Sequence, residues 1–166
     1  MNTDARDIHW MRKALEEAKL AMKEGELPIA AILVSDDVEL ARAQTQTGRR
    51  KSMAAHGELF ALLDAGAKVF TAKHPLMIYT TLEPCLMCIG AAMQCQVDRI
   101  VYAMPAGPDG GSRFASSITA AGQKPPKIQG GILIKEAVLL MKKFVKENPN
   151  HFGVGYAKAL LESINE

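Results

Sequence analysis

Two short stretches of this chain place reactive side chains at the predicted starts of two helices. The first, AAHGELFALLDAG, carries His56 and Glu58, and the second, TLEPCLMCIGAA, carries Cys85 and Cys88 directly after Pro84. The start of a helix exposes unpaired backbone N–H groups and the positive end of the helix dipole. A fold that brings these two helix starts together therefore gathers one imidazole, two thiols and a carboxylate at one point.

The two cysteines have the spacing of a metal-binding pair. Cys85 and Cys88 are one helical turn apart, so both thiols face the same way, and the helix start lowers the pKa of a thiol and favours thiolate. Thiolates select zinc, and His56 is the best further donor. Three protein ligands leave the fourth tetrahedral position for water, which is typical of a catalytic zinc. The sequence thus predicts one Zn²⁺ per chain, bound by His56, Cys85 and Cys88.

Glu58 is predicted to lie beside the metal and not to bind it. It lies two residues after His56, roughly 200° around the helix, so it points to another side of the cylinder. A carboxylate that overhangs the open position of the metal can take a proton from activated water and hand it to a substrate. We therefore predict that Glu58 is the catalytic proton shuttle.

Two other interpretations of the cysteine pair stay open. A C-x-x-C sequence can be a redox pair like that of thioredoxin, which would form a reversible disulfide between Cys85 and Cys88. A purely structural zinc site is the second interpretation, and His74 is the nearby candidate for its fourth ligand. Because the H-x-E and P-C-x-x-C motifs occur together, each opening a predicted helix, the catalytic zinc is favoured.

The length and charge of the chain narrow the class of protein. Its 166 residues suit a single domain, 1–166, with one hydrophobic core. The formal net charge of +2, without a long run of one sign, weakens the case for a large polynucleotide partner. Apolar segments are too short for a membrane span, the N-terminus is unlike a secretory signal, and three cysteines make no disulfide framework. We expect a cytoplasmic protein with reduced thiols and no membrane partner.

The hydrophobic pattern predicts alternating strands and helices after an N-terminal helix. The predicted helices span about 4–23, 53–64, 85–96, 135–148 and 154–164. The predicted strands span about 27–35, 38–44, 75–81, 98–104 and 128–134. The first two strands form a hairpin and helices join the later ones, so the predicted class is α/β, a three-layer α/β/α sandwich with a mixed sheet. The segment 105–127, rich in Gly, Pro and Ser, is expected to be a lid or rim loop.

At its two motifs the sequence resembles the zinc-dependent cytidine and deoxycytidylate deaminase superfamily, whose pattern is H-x-E followed by P-C-x-x-C. Here the pattern is H-G-E at 56–58 and P-C-L-M-C at 84–88. The resemblance extends from ELPIAAILV through TTLEPCLMCIGAAM to RIVYAMP, and is strongest to the branch of guanine, cytosine and tRNA adenosine deaminases. It implies a five-stranded mixed sheet between helices, the same three ligands and proton shuttle, and a homodimer.

The resemblance also implies a reaction and two further site residues. The reaction is the hydrolytic removal of an exocyclic amino group, as ammonia, from a nucleobase, nucleoside or related amino-heterocycle such as guanine, cytosine, a pterin or a triazine. The family's substrate-binding asparagine falls near Thr45, which can make a hydrogen bond but cannot copy a planar amide. Phe114 corresponds to a region from which family members often stack an aromatic ring on the substrate. A small heterocycle is the predicted partner.

Two other functions are compatible with the same residues. A tRNA-editing adenosine deaminase would use the basic run GRRK at 48–51 and the lysines of the last third to contact phosphates. Such short runs are more often a solvated face. A non-catalytic interaction module stabilised by zinc is the second alternative, and Glu58 would be dispensable in it.

Overall fold

The structure of the chain, a computed structural model, describes residues 3–117 and 123–164. Its helices are α1 (Thr3–Lys23), α2 (Thr47–Arg50), α3 (Gly57–Ala65), α4 (Lys68–Thr71), α5 (Leu86–Gln94), α6 (Ile134–Glu147) and α7 (Val154–Ser163). Its strands are β1 (Ala30–Ser35), β2 (Val38–Gln44), β3 (Leu76–Leu82), β4 (Arg99–Met104) and β5 (Lys127–Gln129). Short 3₁₀ turns occupy Gly107–Asp109 and Ser112–Ser117.

The five strands form one mixed sheet in the order β2-β1-β3-β4-β5. β1 is antiparallel to both of its neighbours, whereas β3, β4 and β5 are parallel. Side chains of α3 and α5 pack on one face of the sheet, and those of α1, α6 and α7 pack on the other. All seven residues of β3 are buried because both faces of this central strand are covered. The predicted three-layer α/β/α sandwich with a mixed five-stranded sheet is confirmed.

Three predicted boundaries were wrong. The helix predicted over 53–64 begins only at Gly57, because the carbonyl of Ala55 accepts the N–H of Gln46 and the hydroxyl of Thr45 instead of continuing a helix. Residues 45–52, which none of the predicted helices or strands covers, contain the short α2. The strand predicted over 128–134 is limited to β5, since the backbone turns at Gly131, where φ is +89°. Residues 118–122 of the predicted loop lie outside the described residues.

The strand register brings two helix starts to the same end of the sheet. Gln44 at the end of β2 lies opposite Ala30, and Ala31 lies opposite Thr80 near the end of β3. Because β2, β3 and β4 run in the same direction, all three end at one side, which we call the carboxyl end of the sheet. Helix α3 follows β2 and α5 follows β3, so both helices begin at this end.

Within the described ranges, none of the helices combines the length and the hydropathy that are needed to cross a membrane.

A buried ionic group ties α1 to the centre of the sheet. Asp7 of α1 is fully buried, and its carboxylate accepts hydrogen bonds from both terminal nitrogens of the Arg99 guanidinium at 2.8 and 2.6 Å. The hydroxyl of Tyr79 in β3 donates to the same carboxylate at 2.9 Å. Such bidentate, charge-assisted bonds fix the position of a helix on a sheet more tightly than apolar contact alone.

We predict that Asp7→Asn destabilises the fold by about 3–5 kcal/mol, because it leaves the guanidinium of Arg99 without a compensating charge in a largely buried place. The measurement is the free energy of unfolding from urea denaturation. The matched control is Asp36→Asn, which removes an exposed ion pair with Lys73 and should cost less than about 1 kcal/mol. Equal losses in the two variants would contradict the role assigned to the buried group.

Candidate metal centre

His56 and Cys85 occupy equivalent positions at the carboxyl end of the sheet. Each is the residue immediately before a helix, with an extended backbone: His56 precedes α3 and Cys85 precedes α5. Gly57 allows the first turn of α3 to approach β2 closely, since a Cβ at Gly57 would lie 3.0 Å from the carbonyl oxygen of Ala43. Cys88 lies in the first turn of α5, three residues after Cys85, and is buried. The two predicted helix starts therefore meet.

The donor atoms of these residues form a triangle. The His56 Nδ1 atom lies 3.5 Å from the Sγ atoms of Cys85 and Cys88, and the two sulfurs are 3.7 Å apart. Around a tetrahedral zinc ion, bond lengths of about 2.3 Å to sulfur and 2.0–2.1 Å to nitrogen separate two sulfurs by about 3.8 Å and sulfur from nitrogen by about 3.6 Å. The observed triangle has these dimensions, so the three residues fit zinc.

Hydrogen bonds within the cluster favour the thiolate form of one of its two cysteines. Hydrogen bonds from the Cys88 thiol and then the His56 ring lower the pKa of the Cys85 thiol to about 4, against the effect of burial. The hydrogen bond with Cys85 raises the pKa of His56, and sharing a proton with Cys85, together with burial, raises the pKa of Cys88. One thiol is thus a thiolate near neutral pH, as metal binding requires.

Glu58 lies beside the triangle, on the first turn of α3. It is only 4% exposed, and its Oε1 atom accepts a 2.9 Å hydrogen bond from the hydroxyl of Thr80 on β3. Its Oε2 atom lies 3.6 Å from the sulfur of Cys88. Burial raises the pKa of the Glu58 carboxyl group. A buried carboxyl group with a raised pKa, fixed next to a metal site, can act as a general acid and base.

The structure separates His74 from this cluster. His74 precedes β3, at the opposite end of the sheet, and its Nδ1 atom lies 2.6 Å from a carboxylate oxygen of Asp98. Across the part of the chain that is described, the group of donors within 4.8 Å of one another consists of His56, Cys85 and Cys88. His74 is therefore not the fourth ligand of a structural zinc site.

Thr45 and Phe114 occupy very different environments. Thr45 is 3% exposed, and its hydroxyl donates to the carbonyl of Ala55, which holds the segment before α3 against the end of β2. Phe114 is 43% exposed in the second 3₁₀ turn, with the guanidinium of Arg113 4.6 Å from the centre of its ring. This turn packs against α5, which carries the cysteines.

Two polar residues near the cluster, Glu83 and Tyr156, were not predicted from the sequence. Glu83, two residues before Cys85, is a buried carboxylate, and a charged residue at the end of an otherwise apolar strand was a signal that could have found it. Tyr156 of α7 is half-buried; burial and then the negative charges of Asp109 and Cys85 raise its pKa, which places its hydroxyl among the acidic groups at the carboxyl end of the sheet. No local pattern links Tyr156 to residues so distant in the chain.

Comparison with known proteins identifies the family. The family model described as the cytidine and deoxycytidylate deaminase zinc-binding region matches residues 4–104. The tRNA-specific adenosine deaminase 2 of Xenopus tropicalis is 31% identical over 156 residues, covering 86% of this chain and 91% of the relative. The cytosine deaminase of Candida albicans is 30% identical over 149 residues, with the same two coverages.

A solved structure has the same fold. It comes from biochemical and structural studies of A-to-I editing by tRNA:A34 deaminases at the wobble position of transfer RNA. It superposes with a TM-score of 0.67 at 29% identity, covering 80% of this chain and 98% of that one. The two relatives of this chain named above are hydrolytic deaminases. The region that the family model matches includes both sequence motifs and the helix starts that carry them. The chain therefore belongs to the zinc-binding cytidine and deoxycytidylate deaminase family and is a hydrolase that acts on a C–N bond.

Proposed function

We propose that this deaminase removes the exocyclic amino group, as ammonia, from a small amino-heterocycle: a nucleobase, its nucleoside, or a related ring such as a pterin or a triazine. In this proposal His56, Cys85 and Cys88 hold one zinc ion, and Glu58 is the catalytic residue that moves protons. The observation that carries it is the buried Glu58 carboxyl group beside a donor triangle of zinc dimensions.

The chemistry divides between the metal and the chain. When bound, zinc supplies water activated near neutral pH for attack on the ring carbon that bears the amino group. Glu58 accepts one proton from the attacking water and gives it to the adjacent ring nitrogen, and then accepts the remaining proton of the added hydroxyl group and delivers it to the departing ammonia. Its raised pKa keeps the carboxyl group able to donate as well as accept. Thr80 holds Oε1, which leaves Oε2 as the oxygen nearest the cysteines.

Packing around the carboxyl end of the sheet favours a small substrate. The turn at Gly107 touches the end of α7, since a Cβ at Gly107 would lie 2.8 Å from the hydroxyl oxygen of Ser163. Tyr156 of α7 faces Asp109 of the same turn. The chain's own last helix thus lies against the loop that borders the site. A flat ring of a few atoms can enter such a site with little rearrangement, whereas a polynucleotide must first extrude its base.

This chain has Thr45 in place of the family's substrate-binding asparagine, so other groups must recognise the ring. Thr45 stands at the corresponding place, but its hydroxyl is already bonded to the carbonyl of Ala55. We propose that Thr45 borders the ring without a side-chain amide contact, and that Phe114 provides the stacking surface, because its ring is exposed next to α5. The loss of a planar amide favours a heterocycle whose polar edge differs from that of cytosine or adenine.

A tRNA-editing adenosine deaminase is the second candidate, and the 31% identity to a tRNA-specific enzyme favours it. The basic run at 48–51 gives it less support, because two of its cations already have partners. Arg49 pairs with Glu24 at 2.6 Å, and Arg50 donates to the side chain of Gln46 at 2.7 Å. In either case we expect a homodimer that acts in the cytoplasm.

The first test is a screen for ammonia release by the zinc-loaded protein. Guanine, cytosine, adenine, their nucleosides, pterins and amino-triazines are compared with structured tRNA that contains a target adenosine. We expect turnover of at least one free heterocycle or nucleoside, with a KM that changes little between about 50 and 200 mM salt, because a neutral ring displaces no phosphate counterions. Turnover of tRNA alone, with steeply salt-dependent binding, would replace the proposal by the editing candidate.

A second prediction separates Glu58 from the ligands. Glu58→Gln keeps the size of the side chain but cannot exchange a proton, so we expect turnover to fall by at least about 10²-fold while zinc stays bound at one equivalent per chain. Zinc is measured by elemental analysis of the purified variant. Loss of metal from Glu58→Gln would show that Glu58 is a ligand and not the proton shuttle.

A third prediction concerns the metal itself. His56→Ala removes one of three donors, so the variant should lose most of its zinc and its activity together. The matched control is His74→Ala, which removes a histidine at the opposite end of the sheet and should retain both. A wild-type preparation that is fully active without zinc would overturn the proposed chemistry.

A further inference from the structure

Glu83 is a buried carboxylate that the proposed reaction does not use. It lies between the end of β3 and the metal-site helix α5, is 8% exposed, and its backbone N–H donates to the carbonyl of Met104 at 2.8 Å. A buried carboxylate is costly unless hydrogen bonds replace its water. In the described residues no lysine, arginine or histidine forms an ion pair with Glu83. Its compensation must therefore come from uncharged donors.

Those donors all belong to the loop after β4. The N–H of Ala106 donates to Oε2 at 3.0 Å, the N–H of Ser112 donates to Oε1 at 3.3 Å, and the Ser112 hydroxyl donates to the same oxygen. The chain between Ala106 and Ser112 is thus folded around one carboxylate. Gly110 lies directly on it, because a Cβ at this position would collide with both carboxylate oxygens.

The same loop is pressed against the backbone of the metal site. The N–H of Gly111 donates to the carbonyl of Pro84 at 2.9 Å. A Cβ at Gly111 would lie 2.8 Å from the carbonyl carbon of Cys85 and the nitrogen of Leu86. The loop therefore packs directly against the segment that carries Cys85, and a side chain at Gly110 or Gly111 would collide with the Glu83 carboxylate or with this backbone.

We propose that Glu83 is a positioning residue that fixes the loop 105–114 over the metal site and thereby holds the groups that contact the substrate. This loop carries Asp109, which faces Tyr156, and Phe114, whose N–H donates to the carbonyl of Gly111. Release of the loop moves these side chains while leaving His56 and Cys88 in place. The proposal rests on the proposed function, because it assigns the loop to substrate binding in that same site.

Glu83→Gln is the sharpest variant, since it preserves size and removes one acceptor oxygen. Ala106 and Ser112 present two backbone N–H donors to the two oxygens, and a glutamine amide can accept only one of them while turning its NH₂ group towards the other. We expect KM for the best heterocycle to rise by at least about tenfold with a smaller change in kcat, and zinc to stay at one equivalent. Ser112→Ala, which removes only the hydroxyl donor, should give a smaller rise in KM.

Hydrogen exchange provides a readout that needs no substrate. In zinc-loaded Glu83→Gln, the backbone amides of 105–114 should exchange faster than in the wild type, while those of β3 and α3 keep their protection. The matched control is Asp98→Asn, in which a carboxylate that accepts the Leu76 N–H is replaced at the opposite end of the sheet. This control should change neither KM nor exchange in the loop.

Several outcomes decide the proposal. Unchanged KM and unchanged loop exchange in Glu83→Gln would overturn it, as would loss of zinc or a general loss of protection, because Glu83 would then be only structural. If Glu83→Gln does not fold, Ser112→Ala and Gly110→Ala test the same loop contact by the same readouts. If the wild type deaminates no heterocycle, the proposed function fails, whereas the exchange measurement still decides whether Glu83 holds the loop.

Discussion

The structure depends on one geometric constraint, that two helix starts from different parts of the chain meet with three donor atoms within 3.7 Å of one another. Helix starts suit this role because their free N–H groups and dipoles favour the thiolate that a metal requires. The parallel direction of β2 and β3 supplies the constraint, since each strand delivers its following helix to the same end of the sheet. The buried central strand β3 then fixes how far apart the two helices begin.

One set of buried polar side chains stabilises the fold, and another lies at the candidate site. Asp7, Tyr79 and Arg99 satisfy one another on the α1 face of the sheet, so their burial serves the fold. Glu58 has its burial only partly compensated, by its own backbone N–H, one hydroxyl and a thiol, and its raised pKa is the sign of that remaining cost. Proteins accept such local instability where the chemistry needs a carboxyl group that can both give and take a proton.

Much of this site could be predicted from the sequence because its signals are local. The spacing of His56, Glu58 and the two cysteines within single helical turns predicts the metal site. The apolar run of β3 indicates a strand that is covered on both faces. The late start of α3 could not be predicted, because it results from hydrogen bonds that the carbonyl of Ala55 accepts from Thr45 and Gln46, ten and nine positions earlier. The same holds for contacts of α7 with the loop after β4, which join segments separated by most of the last third of the chain.

The residues that would bind the metal are distinct from those that would select the substrate. Relatives with about 30% identity include a tRNA-specific adenosine deaminase and a cytosine deaminase, so one metal site serves rings of different shape. Discrimination between such rings must then come from groups that face the ring and not from the zinc ligands. In this chain the hydroxyl of Thr45 donates to the carbonyl of Ala55, and the loop 105–114 packs against the backbone of Cys85 and the end of α7. A loop made of glycines and short turns keeps one conformation only if something rigid fixes it, and here the fixed element is Glu83, which directly follows the buried strand β3 and accepts the N–H groups of Ala106 and Ser112.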